Sequence, residues 1–196
     1  MKRVVLAAGM TVLGLLAAGG AEAHVFGAWG GGLGEGFFHP MGGLDHVLAM
    51  VAVGLWAAQR GGRALWALPA AFLSMMAVGG LFGGAGIPLP WVEAGVAASV
   101  VVLGMAVAWA SRWPMLAGLG LVGLFALYHG HAHGAEIPQT AAPALYAFGF
   151  LAATALLHGA GIALGRLAAS SLIGAKLLRG TGAAVAAAGF LLWAAA

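Results

Sequence analysis

The sequence predicts an all-α membrane protein: a cleavable signal peptide followed by a six-helix transmembrane bundle, with both mature termini periplasmic. Three observations carry this reading. Of 196 residues, 63% are hydrophobic and 7% charged, and the mean hydropathy is +1.03; an ordinary soluble domain carries about 25% charged residues. The apolar residues fall into runs of roughly 20, the length that crosses a bilayer as a helix. The basic residues beyond the N-terminus fall in alternate loops.

The first element is the signal peptide, 1–23. Lys2 and Arg3 form its basic start, residues 4–18 its apolar stretch, and Ala21-Glu22-Ala23 an A-x-A cleavage site. Cleavage makes His24 the first mature residue; the alternative is an uncleaved anchor. Residues 24–196 read as one transmembrane domain. Its outer segment 24–38 is glycine-rich and holds Phe26, Trp29, Phe37 and Phe38, which are expected at the membrane interface.

Six apolar segments follow, at about 40–58, 64–83, 91–110, 114–131, 142–165 and 178–195. Pro40, Pro90, Pro114 and Pro143 stand near their starts, where proline costs least. Trp56, Trp66, Trp91, Trp109, Trp113 and Trp193 lie near segment ends, as belt residues do. Arg60, Arg63, Arg112, Arg166, Lys176 and Arg179 all fall on one side of this layout, and Glu35, Glu93 and Glu136 on the other. That asymmetry is the positive-inside rule. With an exported N-terminus it places the chain in a bacterial inner membrane as a multi-pass protein. The pI near 10.0 arises from these few loop charges, and no nucleic-acid partner is expected from it. Gly79/Gly83, Gly80/Gly84 and Gly161/Gly165 mark faces where helices can approach closely. The two halves of the chain have opposite orientation, which permits an inverted repeat, but their sequence similarity is too weak to claim one.

Cysteine is absent, so thiolate chemistry is excluded. The candidate chemistry lies in histidines and carboxylates. In "HPMGGLDH", His39 and His46 are seven residues apart, two turns of a continuous helix, and so face nearly the same way. Asp45 beside them costs roughly 2.5–3.5 kcal/mol at a helix centre in lipid; a bound cation or protonated histidine would offset that. The alternative is a polar cap, with Asp45 favoured by the positive helix N-terminus. In "LYHGHAHGAE", His129 and His133 share a helical face with His131 pointing away, unless the glycine-rich end unwinds. Glu136 follows. Both clusters are expected on the same side of the membrane; each taken alone could be an interfacial or solvated loop feature.

His158 lies deeper, with Thr154 one turn earlier on its face; it is either a relay or a simple interhelical hydrogen-bonding residue. Imidazole with carboxylate suits Ni²⁺, Co²⁺, Zn²⁺ or Cu²⁺ and suits Ca²⁺ or Mg²⁺ poorly. His24, once freed, offers its α-amine and ring nitrogen as a chelate. Met50, Met75, Met76 and Met105 could serve a soft ion, though methionine in an apolar helix ordinarily packs. Glu93 reads as a helix N-terminal carboxylate or as a group lining the approach.

The pair "HPMGGLDH" and "HGHAHGAE", with "ATALLHGAGIALG" around His158, resembles the HupE/UreJ family of nickel/cobalt permeases over essentially the whole mature chain. Tyr128 stands where that family usually has phenylalanine, a mild departure. The resemblance implies a non-enzymatic secondary permease importing Ni²⁺ or Co²⁺. The metal residues are then His24, His39, Asp45, His46, His129, His131, His133, Glu136 and His158. The ion is substrate, so no resident cofactor is expected. The partners are the metal ion and the lipid bilayer, and a homo-oligomer is left open. Rival readings are an intramembrane di-iron oxygenase, a haem protein ligated by His46 and His158, and a metal-binding sensor or accessory protein that transports nothing. Imidazoles must be neutral to bind metal. Uptake is therefore expected to fall below about pH 6; undiminished uptake at pH 5 would exclude imidazole as the capturing group.

Overall fold

The computed structural model describes residues 32–195. The signal peptide, His24, Phe26 and Trp29 lie outside the described residues. Among the described residues there are seven helices and no strand: α1 (Leu33–Gly42), α2 (Leu44–Arg60), α3 (Ala64–Gly84), α4 (Val92–Trp109), α5 (Met115–Ala135), α6 (Pro143–Ala169) and α7 (Leu172–Ala195). Helices α3 to α7 are each long and apolar enough to cross a membrane, and α1 with α2 pass that test together as one broken span. The chain is a multi-pass membrane protein.

The helix count corrects the sequence expectation. The segment expected to run unbroken over 40–58 is divided at Gly43, where α1 and α2 meet at 88°. The local sequence permits the break: Pro40 has no N–H to continue the ladder, and Gly42-Gly43 follow after Met41, with Gly43 extended (φ −100°, ψ 117°). His39 and His46 therefore stand on different helices, and the same-face argument for them fails. Residues 33–38, read from the sequence only as part of a glycine-rich outer segment, are helical. The helix expected to stop at 131 runs to Ala135, and the last starts at Leu172, not 178.

Where lipid surrounds the helices, close van der Waals contact has to replace the hydrophobic drive, and glycine supplies it. Helices α2 and α6 touch backbone to backbone: a methyl group on Gly54 would strike the carbonyl of His158, and one on Gly161 the carbonyl of Val51. Helices α3 and α5 repeat the contact: a methyl on Gly130 would strike the carbonyl of Met76, and one on Gly79 that of Leu127. In both crossings each glycine meets the carbonyl three residues before its partner glycine. Helices α4 and α7 pack through Gly104 against Ala186 and Gly182 against Ala108. So the first span of each half packs on the second span of the other, and the third spans pack on each other. An inverted repeat packs in this way, although the two halves share little sequence.

The basic end of the bundle is tied to the C-terminus of α4, whose last carbonyls lack helical partners. Gln59 donates to Val107 O at 2.9 Å, Arg179 to Ala108 O at 2.7 Å, Trp56 to Ser111 O at 2.8 Å and Arg60 to Trp113 O at 2.7 Å. Trp56, expected in the membrane belt, is fully buried; Trp66, Trp91, Trp109 and Trp193 are exposed, as belt positions require.

Close approach at Gly54 gives a stability prediction. Gly54→Val should lower the thermal midpoint in detergent, in line with an overpacking cost of about 1–3 kcal/mol. Gly159→Ala, on a face where an added methyl meets nothing within 4 Å, should leave it unchanged. Equal midpoints for the two variants would show that the α2–α6 contact is not close.

Candidate metal site

At the end of the bundle opposite the basic residues, the break at Gly43 starts a new helix beside α5 and α6. Asp45 falls in the first turn of α2, where a carboxylate is favoured by the helix dipole; it is not the mid-helix acid that the unbroken segment implied. Its Oδ1 accepts the backbone N–H of His46 at 2.8 Å and contacts His46 Nδ1 at 2.7 Å. An ionised carboxylate only accepts, so Nδ1 carries the proton. Nε2 of His46 is buried without a hydrogen-bond partner.

His129 is locked in the same fashion from another helix. Ser99 on α4 donates its hydroxyl hydrogen to Val96 O at 2.6 Å, and its oxygen lies 2.8 Å from His129 Nε2. The hydroxyl hydrogen being committed, Nε2–H of His129 donates, and Nδ1 is left bare, buried and unpartnered. Both nitrogens of His133 are buried without partners, and its ring stacks on Phe150 with centroids 5.3 Å apart.

These three imidazoles adjoin. The ring of His46 lies 4.7 Å from that of His129 and 4.6 Å from that of His133, centroid to centroid, and His39 lies 5.0 Å from His133. Two imidazoles on one ion, each at about 2.1 Å, have centroids about 4.5–5 Å apart. The spacing is that of coordination, but His46 meets His129 edge to face and is tilted by 58° to His133. Among the described residues, no three His, Asp or Glu side chains close around an ion as they stand.

His39, at the C-terminal end of α1, reaches Glu136 just beyond α5, with Nε2 and Oε2 2.7 Å apart. This pair straps α1 across the end of α5. The hydrogen bond from His39 holds the Glu136 carboxyl below its ordinary value of 4.5, against the opposing effect of burial. Of the remaining expected residues, His131 turns away from the cluster, as a continuous α5 requires, and donates from Nε2 to Ile87 O at 2.8 Å in the α3–α4 loop. Glu93 is exposed in the first turn of α4. His158 is buried with both ring nitrogens unpartnered and lies beyond Phe72, whose ring is 5.0 Å from His158 and 5.7 Å from His129.

The description "HupE / UreJ protein" belongs to a family model that matches residues 10–192. The chain belongs to the HupE/UreJ family. It is 46% identical over 172 residues to "Protein HupE" of Rhizobium leguminosarum bv. viciae, covering 88% of this chain and 89% of that protein. No solved structure matches it.

Within this HupE/UreJ chain, sequence reasoning passed over Ser99, Phe72 and Tyr146. Ser99 was signalled as a lone hydroxyl in the apolar run "GVAASVVVLG". Phe72 and Tyr146 carried no signal, because an aromatic in an apolar helix looks like packing until its neighbours are known. Tyr146 lies with its ring 5.7 Å from His39 and its hydroxyl buried without a partner.

The strap is sensitive to acid. A carboxyl whose folded-state pKa is depressed contributes stability above its unfolded value, and that contribution is lost as pH falls through the folded value. The thermal midpoint of Glu136→Gln should therefore lie below that of wild type at neutral pH. The gap should hold down to about pH 5 and close below 4.5. A gap independent of pH would assign the stabilisation to packing instead.

Proposed function

We propose that this HupE/UreJ protein is a secondary permease that imports Ni²⁺, with Co²⁺ as the nearest competitor, across the bacterial inner membrane. The observation that supports this best is the group His46, His129 and His133. Three imidazoles from two helices sit at coordination spacing inside an apolar bundle, and each has at least one bare nitrogen. A buried acceptor without a partner costs free energy, and a late transition-metal ion is the ligand that imidazole prefers. Asp45 and Ser99 orient two of the rings, as outer-shell partners of metal-bound histidines do.

In this reading His39 and Glu136, and His24 once the signal peptide is removed, meet the ion at the periplasmic face. Asp45 neutralises part of its charge as water is shed. His46, His129 and His133 hold it, and His158 receives it on the cytoplasmic side. His131 braces the α3–α4 loop beside the path. No residues fit the GxxxxGK[ST] nucleotide loop in the sequence, so the permease itself is passive toward ATP, and catalysis is not part of its role. Binding must be strong enough to replace hydration and weak enough to release.

The test is radiolabelled nickel uptake by cells expressing wild type or Asp45→Asn at matched protein levels, with excess Co²⁺, Zn²⁺ or Mg²⁺. Loss of an outer-shell partner typically costs 10–100-fold. Asp45→Asn should thus reduce uptake by about tenfold or more, Co²⁺ should compete and Mg²⁺ should not. Wild type that binds nickel in detergent but takes up none in cells would make the protein a sensor or accessory subunit.

A further inference from the structure

One group of residues lies inward of the imidazole cluster, and its methionines take no ligand role in the pathway just described. Met50 on α2 and Met76 on α3 are fully buried, and their sulfurs converge on one atom, Thr154 Oγ1 of α6, at 3.4 and 3.5 Å. That hydroxyl donates its hydrogen to Phe150 O at 2.8 Å. The hydroxyl has one hydrogen for three acceptors, so at most one of the two thioethers can receive it at a time. One turn further along the same face of α6 is His158, 1% exposed, with neither ring nitrogen paired. Phe72, one turn before Met76 on α3, packs edge-on against the His158 ring. The methionine pair and the histidine thus line one seam between α2, α3 and α6.

Two features of this seam point to a ligand. Methionine alone would be packing, but packing needs no convergence of two sulfurs on a single hydroxyl. An imidazole buried in an apolar seam with both nitrogens unpaired leaves hydrogen-bonding capacity unmet. A metal ion coordinated by His158 and the two thioethers would occupy both. The donor set is neutral and partly soft, so it fits ions of soft or borderline character such as Cu⁺ and Ni²⁺ and rejects Mg²⁺, Ca²⁺ and Mn²⁺.

We propose that Met50, Met76 and His158 form a second, sulfur-containing metal site, an inner stop for the transition-metal ion. The proposal rests on the permease reading above and extends it. The outer site has carboxylates behind its imidazoles; the inner one has none. A divalent ion is therefore held less tightly inside than outside, which favours its onward release. The thioethers also add a selection step that nitrogen and oxygen ligands alone do not provide.

The experiment uses the purified full-length protein loaded with Ni²⁺. Stoichiometry is measured at equilibrium, and the ligand atoms are read from nickel X-ray absorption. Wild type, Asp45→Asn and the double variant Met50→Leu/Met76→Leu are compared, the last being close to volume-conserving and so tolerated by the core. Expected are more than one nickel per wild-type chain and a sulfur shell. The methionine variant should lose that shell and one ion while keeping a nitrogen/oxygen-ligated ion, and its uptake should fall about tenfold. A wild-type spectrum of nitrogen and oxygen only, with stoichiometry unchanged in the methionine variant, would overturn the inner site and leave the outer one standing. Wild type that binds no nickel at all would sink both. The sulfur shell is read on wild type itself, so a poorly folding variant does not remove the test.

Discussion

Everything at the candidate site depends on how closely the helix backbones approach one another. Gly54 and Gly161 bring α2 onto α6, and Gly79, Gly83, Gly130 and Gly134 bring α3 onto α5, each at distances where one methyl group would collide with a carbonyl. With the backbones that close, the seam between the pairs is narrow. Side chains that point into it from different helices must meet. His46 on α2 meets His129 and His133 on α5 in that seam, with ring centroids 4.7 and 4.6 Å apart. The same crossings bring Met50, Met76 and Thr154 together one layer further in.

The imidazoles then face a shared constraint. In lipid a polar atom without a partner is costly, so each ring is expected to bond wherever it can. His46 uses Asp45, His129 uses Ser99, His39 uses Glu136 and His131 uses Ile87 O. Each of these partners can only accept, or has its hydrogen engaged elsewhere. Each ring therefore donates one N–H, and the other nitrogen of His46, His129 and His131 is buried without a partner. The hydrogen-bond network fixes which ring nitrogen carries the donated hydrogen. It also sets an ordering along the bundle. Carboxylates stand at the rim, the hydrogen-bonded imidazoles come next, and His158, with neither ring nitrogen paired, lies deepest.

The break at Gly43 turns a span into a site. Had α1 continued into α2, Asp45 would sit inside a helix whose backbone N–H groups are all engaged. Because the chain breaks, Asp45 falls in a first turn with free N–H groups near it, and α1 swings across the end of α5 far enough for His39 to reach Glu136. Gly36 and Gly149 let α1 lie directly on the backbone of α6 in that position. The bent pair is therefore held from both sides, by a glycine contact and by the histidine–glutamate strap.

Much of this was legible in the sequence, and the parts that were not share a cause. Composition and run length alone determine that the chain crosses a membrane, because lipid admits only long apolar helices here. Loop charge determines which ends lie together, and the spacing of His129, His131 and His133 on a continuous helix already turns His131 away from the other two. The motif residues were recognisable because polar groups are so scarce in this chain that each one stands out. What sequence periodicity could not supply was the break at Gly43, since a proline followed by two glycines is compatible with a kink, a bulge or a full turn, and the packing of α1 on α6 decides among them. Nor could it supply the partners of each ring. Ser99 is 30 residues from His129 and Glu136 is 97 from His39, and no local pattern links such positions. Only the tertiary structure, by fixing which helix backbones touch, decided which nitrogen of His46, His129 and His131 is left without a partner.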